Sequence, residues 1–231
     1  MTETLLDDPR TATAPFAVTL ADVLERLKDY PPDRILWTPT PGTATEEDVV
    51  ARGSKGVELI DGTLVEKAMG AKSSVCAARL VGFLFMYLDL HPRGFAYAPD
   101  MIIGTGPNQL RLPDAGFYSW TRWPGRIREL PNIMAVMPEL AVELLSDGNT
   151  KDEMERKRRE YFDAGIELVW IVDPMKFTIQ VFTSSSQQTL LKRGDTLDGG
   201  AVLPGFTLPL AKLFDDLRDR VDPVGSHGDG S

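Results

Sequence analysis

Cysteine and histidine are almost missing from this 231-residue chain: Cys76 stands alone, and His91 and His227 are the two histidines. A lone cysteine excludes an intramolecular disulfide, and one thiol with two imidazoles excludes a Cys- or His-rich structural zinc site. His91 precedes Pro92 at the end of an apolar stretch and His227 lies in the tail PVGSHGDGS, so neither reads as the base of a Ser-His-Asp triad. Long apolar runs are missing too. The longest, Leu80 to Leu88, is about half of the ~18 residues that span a bilayer, and Arg79 and Asp89 bracket it, so no transmembrane helix is expected. The opening segment, MTETLLDDPR, is acidic and lacks the basic start of a secretory signal, so a cytoplasmic protein is expected. Positive charge is in short supply, with 25 Lys+Arg against 34 Asp+Glu and a formal charge of −9. That balance disfavours nucleic-acid binding by bulk electrostatics while leaving room for a local basic groove. Any catalysis must therefore use carboxylates and lysine.

What is present reads as one globular core of α/β class with appendages. Residues 1–50 form a short helical N-terminal extension, with Thr19-Leu-Ala-Asp22 and Thr45-Glu-Glu-Asp48 as helix starts carrying an acidic third residue. Residues 51–215 form the main domain, and 216–231 a polar tail, disordered from Pro223 onward. In VELIDGTLVE, Asp61-Gly62 lies between two short apolar runs and predicts a hairpin. From Lys72 to His91 the apolar residues fall on helical spacing and predict a buried helix. Three strand candidates follow: FAYAPDMIIG, QLRLP and AGFYSW. ELAVELLS then reads as a central strand broken by one internal acid, Glu143. Beyond it, Thr150 to Glu153 is a capping box opening a helix that ends near Gly165, and LVWIVDP is a strand stopped by Pro174. Strand, helix and strand at this spacing make a βαβ unit with parallel pairing. FTIQVFT and the run around Thr189 extend the sheet in antiparallel fashion.

Glu58, Asp114 and Glu143 stand out because they lie within or at the ends of predicted core strands. A buried carboxylate without a partner costs several kcal/mol, so such positions need a compensating charge, and a divalent cation is one. Paired hard-oxygen ligands with places left for water suit Mg²⁺ better than zinc. Lys157 lies three residues after Met154 and four before Tyr161, at the border of the stripe that faces the sheet. From there its ammonium can fold over the carboxylates, position a water or steady charge growing on a phosphate. Each residue also has an ordinary reading. Glu143 can be a strand acid paired to an arginine, Asp114 turn chemistry after Pro113, Glu58 a solvated hairpin acid, and Lys157 the surface partner of Glu153. The run Arg156 to Arg159 can be a solvated helix face.

Read in order, VELIDGTLVE, RLPDAGFYSW, PELAVELLSDGNT, ERKRREYFDAGIELVWIVDP and TLDGGAVLPGFTLPL resemble the Uma-type family of restriction-endonuclease-like proteins, within the PD-(D/E)xK nuclease superfamily. The resemblance spans about Val57 to Phe214. It implies a restriction-endonuclease-like core, a mixed β-sheet flanked by α-helices, and a Mg²⁺-dependent phosphodiesterase site in which Mn²⁺ can substitute. By motif, Pro113-Asp114 corresponds to the PD element, Glu143 to the second acid, Glu58 to the acid of the ELIDG segment near the metal, and Lys157 to the lysine on the following helix. Two positions depart from the pattern: Leu145 stands where the superfamily places its lysine, two residues after the second acid, and no histidine occurs near Lys72-Ser73-Ser74.

The expectation is an endonuclease acting on nucleic acid, DNA foremost, with Asp114, Glu143 and Lys157 catalytic and Asp114, Glu143 and Glu58 at the metal. No membrane is involved, and a homodimer is left open. The alternatives are an inactive or regulatory binding module on a nuclease-like fold, favoured by the net charge and Leu145, and a hydrolase of some other phosphate ester.

Overall fold

The computed structural model describes residues 19–53 and 56–215; the expected disordered tail lies outside them. Two short helices come first, α1 (Leu20–Arg26) and α2 (Glu46–Ala51), each opened by the anticipated capping box, Thr19 with Asp22 and Thr45 with Asp48. The hairpin follows as β1 (Val57–Ile60) and β2 (Thr63–Glu66), paired antiparallel. Its turn holds Asp61 at φ 49° and Gly62 at φ 71°. That pair of left-handed residues matches the twist of two facing strands. A side chain on Gly62 would also stand 2.8 Å from the Gly42 carbonyl oxygen, so the residue is fixed by space as well as by backbone angle.

Helix α3 (Ala71–Leu90) follows. Its length and apolarity would suffice to cross a membrane. Here, however, Cys76, Leu80, Leu84, Tyr87 and Leu88 pack into the main core, which gives the apolar stripe a protein partner. The segment FAYAPDMIIG, expected as one strand, is two: β3 (Gly94–Tyr97) and β4 (Ile102–Gly106). Pro99 removes a ladder donor and Asp100 adopts φ 89°, so the chain turns there and its halves join different sheets. Next come β5 (Gln109–Arg111), β6 (Ala115–Ser119), β7 (Ile133–Met134) and β8 (Leu140–Leu144). Helix α4 (Lys151–Asp163) connects β8 to β9 (Leu168–Asp173), and the two strands are parallel neighbours, as the βαβ reading requires. Strands β10 (Thr178–Phe182) and β11 (Gln188–Lys192) extend the sheet antiparallel, and β12 (Thr196–Asp198), β13 (Thr207–Pro209) and helix α5 (Leu210–Phe214) close the described chain.

The strands divide among a five-stranded sheet, β2-β1-β5-β4-β7, a six-stranded mixed sheet, β11-β10-β9-β8-β6-β3, and the antiparallel pair β12-β13. In the larger sheet, Leu140, Val142 and Leu144 of β8 pack with α3 and α5, while Ala141 packs with Met154 and Tyr161 of α4. In the smaller sheet, Leu59 and Leu110 face one core and Ile60 and Val65 face another, built with Val23, Leu27, Tyr30 and Ile35. The two sheets are joined by Leu112-Pro113-Asp114, the stretch between β5 and β6. The candidate residues meet at that junction, beneath α4.

Candidate active site

Strand alternation places Glu58 on the face of β1 shared with Ile60, and Glu58 lies opposite Val65. Arg111 shares this face, since its neighbour Leu110 pairs with Leu59 on the opposite one. In β8 the same alternation turns Glu143 toward α4, opposite Ile171. Pro113 ends β5, and Asp114 resumes the ladder: its N–H donates to the Val142 carbonyl (2.9 Å) and its Oδ2 accepts from the Leu144 N–H (2.7 Å). One carboxylate oxygen is thereby committed to the backbone and the other, Oδ1, is left to face the site. Lys157 and Tyr161 are one helical turn apart on α4, and both side chains are buried beneath it.

Glu58, Asp114, Glu143 and Lys157 therefore converge. The Lys157 ammonium lies 2.9 Å from Glu58 Oε1, 3.5 Å from Glu143 Oε2 and 4.0 Å from Glu153 Oε1. Glu58 also receives Arg111 (2.9 Å) and the Leu112 N–H (3.2 Å), and the Tyr161 hydroxyl donates a short hydrogen bond to Glu143 Oε1. Around this centre Arg34 makes a bidentate pair with Glu153 (2.8 and 3.0 Å), and Glu160 accepts from both Arg111 and Arg156. Tyr30 lays its ring near the guanidinium groups of Arg34, Arg111 and Arg156, at 6.0, 5.9 and 5.8 Å. The segment before residue 50 thus supplies Tyr30 and Arg34 to the back of the site.

The ordinary readings of Lys157 and Glu58 do not describe these positions. Both are buried, and Lys157 touches three carboxylates instead of one surface partner. Three residues with no assigned role in the sequence are as prominent as the expected four. Lys67, one residue past β2, sets its ammonium 2.7 Å from Asp114 Oδ1 and 3.6 Å from Glu143 Oε2, and donates a short hydrogen bond to the Leu112 carbonyl. Arg111 is fully buried, and Tyr161 is the hydroxyl partner of Glu143. Arg111 carried a signal: in QLRLP it is a charged residue alternating with leucines, the same break in pattern that marks Glu143. Lys67 carried none, because a lysine ending a hairpin strand is ordinary.

Burial pushes both central acids toward the neutral form, and the outcome depends on their neighbours. For Glu58 burial is outweighed by Lys157, Arg111 and Lys67, which hold its carboxyl down to about 2. For Glu143 burial wins despite Lys157 and Lys67, and the charges of Asp114 and Glu58 push the same way, so its pKa is raised. Lys157 loses hydration on burial, but Glu143, Glu58 and Glu153 more than restore the charged form and raise its pKa. The arrangement keeps one carboxylate firmly ionised beside another that holds its proton more readily.

Among the described residues no group of three or more His, Cys, Asp and Glu side chains forms a preformed metal cage. The donors around the Lys67 ammonium are instead two carboxylates and a backbone carbonyl. With an ammonium as the cation between them, this hard-oxygen set fits Mg²⁺ or Mn²⁺ with water in the remaining places.

A mixed α/β fold of this kind, with flanking helices, is that of a nuclease-like protein from Anabaena variabilis, described as a putative nuclease belonging to DUF820. The two superpose with a TM-score of 0.63 at 19% identity, over 70% of this chain and 91% of that one. The chain belongs to the Uma2 family, described as "Putative restriction endonuclease", whose profile matches residues 49–211. No curated protein matches it.

Proposed function

We propose that this protein is a metal-dependent endonuclease that hydrolyses phosphodiester bonds of nucleic acid, DNA foremost, at the Asp114–Glu143 pair. The observation that supports it is the convergence of Asp114 Oδ1, Glu143 Oε2 and the Leu112 carbonyl on one cation position, with Lys157 behind them. Membership of a family described as "Putative restriction endonuclease" supports this reaction class. A Mg²⁺ ion held by these oxygens would lower the pKa of a bound water and take up charge on the phosphoryl oxygens. The rest falls to the chain. Asp114 is held in line by the Leu144 amide, and Glu143 is oriented from one side by Tyr161 and from the other by Lys157. Glu58 keeps Lys157 charged and in place, and reaches the reacting centre through that lysine and through water. Lys157 in turn supplies a fixed positive field for the phosphate.

The test is cleavage of plasmid, single-stranded DNA and RNA with Mg²⁺ and with EDTA. Cleavage should need the metal and fall at least about 100-fold in Asp114→Asn and Glu143→Gln. Cleavage unchanged in both variants rejects the assignment.

A second reading, a binding or regulatory module without turnover, is favoured by the internal neutralisation of the acids by Lys67, Lys157 and Arg111. Calorimetry separates the two at once: Mg²⁺ or Mn²⁺ binding that Asp114→Asn weakens supports the metal site, and absence of binding leaves the module.

A further inference from the structure

The cations of the site differ in access. Arg111 and Lys157 are sealed in, with side chains 0% and 1% exposed. Lys157 lies within 4.0 Å of Glu58, Glu143 and Glu153, so drawing it toward a substrate would take a compensating charge away from three buried carboxylates at once. Lys67 is placed differently. Its side chain and that of Asp114 line a cleft of about 450 Å³ between the β2–α3 connection, the outer side of α3 and the β3–β4 turn. Met69, Val81, Phe85 and Pro99 make the remaining wall largely apolar. The Lys67 backbone is anchored by its N–H to the Gly56 carbonyl (2.5 Å), while its side chain, 8% exposed, has a four-carbon stem long enough for the ammonium to turn toward the cleft.

We propose that Lys67 is a catalytic residue of the site: its ammonium holds the cation position between Asp114 and Glu143 until a divalent ion enters, and then turns into the cleft to contact the substrate phosphate. The inference rests on the metal-dependent reading above. It follows from two facts about one nitrogen. The three oxygens that surround Lys67 are those an ion would need, so ammonium and divalent ion compete for the same donors. The cleft beside Asp114 is also an open side of the cluster, and among the described residues that line it Lys67 is the basic one, so it is placed to meet a phosphate arriving there. Leu145, two residues after Glu143, packs on the α4 side, so β8 itself brings no amine to the cation position that Lys67 occupies.

Mn²⁺ alone, titrated by calorimetry into wild type, Lys67→Met and Asp114→Asn, reads the competition. Lys67→Met should bind Mn²⁺ at least about tenfold more tightly than wild type, because the competing charge is gone. Its kcat on the cleaved DNA substrate should fall about 100-fold, with KM changing less. Equal or weaker Mn²⁺ affinity, or an unchanged kcat, overturns the proposal. A second measurement needs no variant. In the wild type, amine acylation read by mass spectrometry should label Lys67 faster when Mn²⁺ is saturating, while Lys157 stays protected; labelling that is unchanged or slower with Mn²⁺ overturns it. If Asp114→Asn abolishes Mn²⁺ binding but Lys67→Met leaves it unaltered, the Lys67 role alone falls. If no variant binds Mn²⁺, the metal site falls with it.

Discussion

On one side of β8, Leu140, Val142 and Leu144 pack with Leu80 and Leu84 of α3 and with Trp170 of β9. On the other side, Ala141 and Glu143 face α4, where Met154 and Tyr161 provide packing and Lys157 provides charge. The first face is held by contacts that need only volume and apolarity, and any side chain of suitable shape contributes. The second is held by pairs in which every member depends on another: Glu143 on Lys157 and Tyr161, Lys157 on Glu58, Glu58 on Arg111. One side of a strand can thus be a scaffold while its reverse is a set of charges kept poised by burial. The difference should appear as different failure modes.

The sharpest break is Lys157→Met. Removing one cation from a buried cluster leaves Glu58, Glu143 and Glu153 each with one compensating charge fewer and no water to replace it, which destabilises by about 3–5 kcal/mol. Urea unfolding should show that loss, and adding Glu58→Gln should recover part of it, because the second change removes a charge the first one stranded. A loss below about 1 kcal/mol would mean that the ion pairs are not what holds this face. On the apolar face, Leu84→Ala should cost about 3 kcal/mol by lost packing, and no second-site charge change should restore it. Its Mn²⁺ affinity should match that of the wild type, since Leu84 belongs to the core on the opposite face of β8.

The apolar side was readable in the sequence. The helical spacing from Leu80 to Leu88, the Asp61-Gly62 turn and the β8–α4–β9 crossover all follow from local pattern, and each is found where the pattern puts it. The charged side was half readable. Glu58, Asp114, Glu143 and Lys157 could be singled out as misfits in apolar elements and by family motif. Their neutralising partners could not. Arg34 reaches Glu153 across 119 residues and Arg111 reaches Glu58 across 53, distances over which no periodicity speaks. The division of FAYAPDMIIG between two sheets was missed because its apolar pattern continues through Pro99 and Asp100, and only the backbone turn there separates the halves.

Acid should separate the two faces as well. The Glu58 carboxyl is held at about 2, below the ordinary value of 4.5 that it regains on unfolding. A lowered carboxylate pKa contributes stability that is present above the unfolded value and is lost as pH falls from about 4.5 toward 2. Glu153, lowered by Arg34 and Lys157 against its burial, acts in the same direction. Glu143, whose pKa is raised, acts in the opposite one. The wild type should therefore lose on the order of 2 kcal/mol through that window, less than Glu58 alone would give. Leu84→Ala should keep the same slope from a lower starting point, and Glu58→Gln should flatten it. An equal slope in Glu58→Gln would show that other acids carry the acid limb.

The smallest effect belongs to an ion pair of the same chemistry in a different place. Arg193 and Asp215 form a short pair with side chains 38% and 50% exposed, one in the turn after β11 and the other just past α5. Water already solvates both groups, so pairing gains little Coulomb energy and costs side-chain entropy. Arg193→Ala should change unfolding free energy by no more than about 0.5 kcal/mol, with that change vanishing at high salt. A loss near that of Lys157→Met would mean that pairing itself, not burial, sets the strength of the central cluster, and the contrast between the two faces of β8 would lose its physical basis.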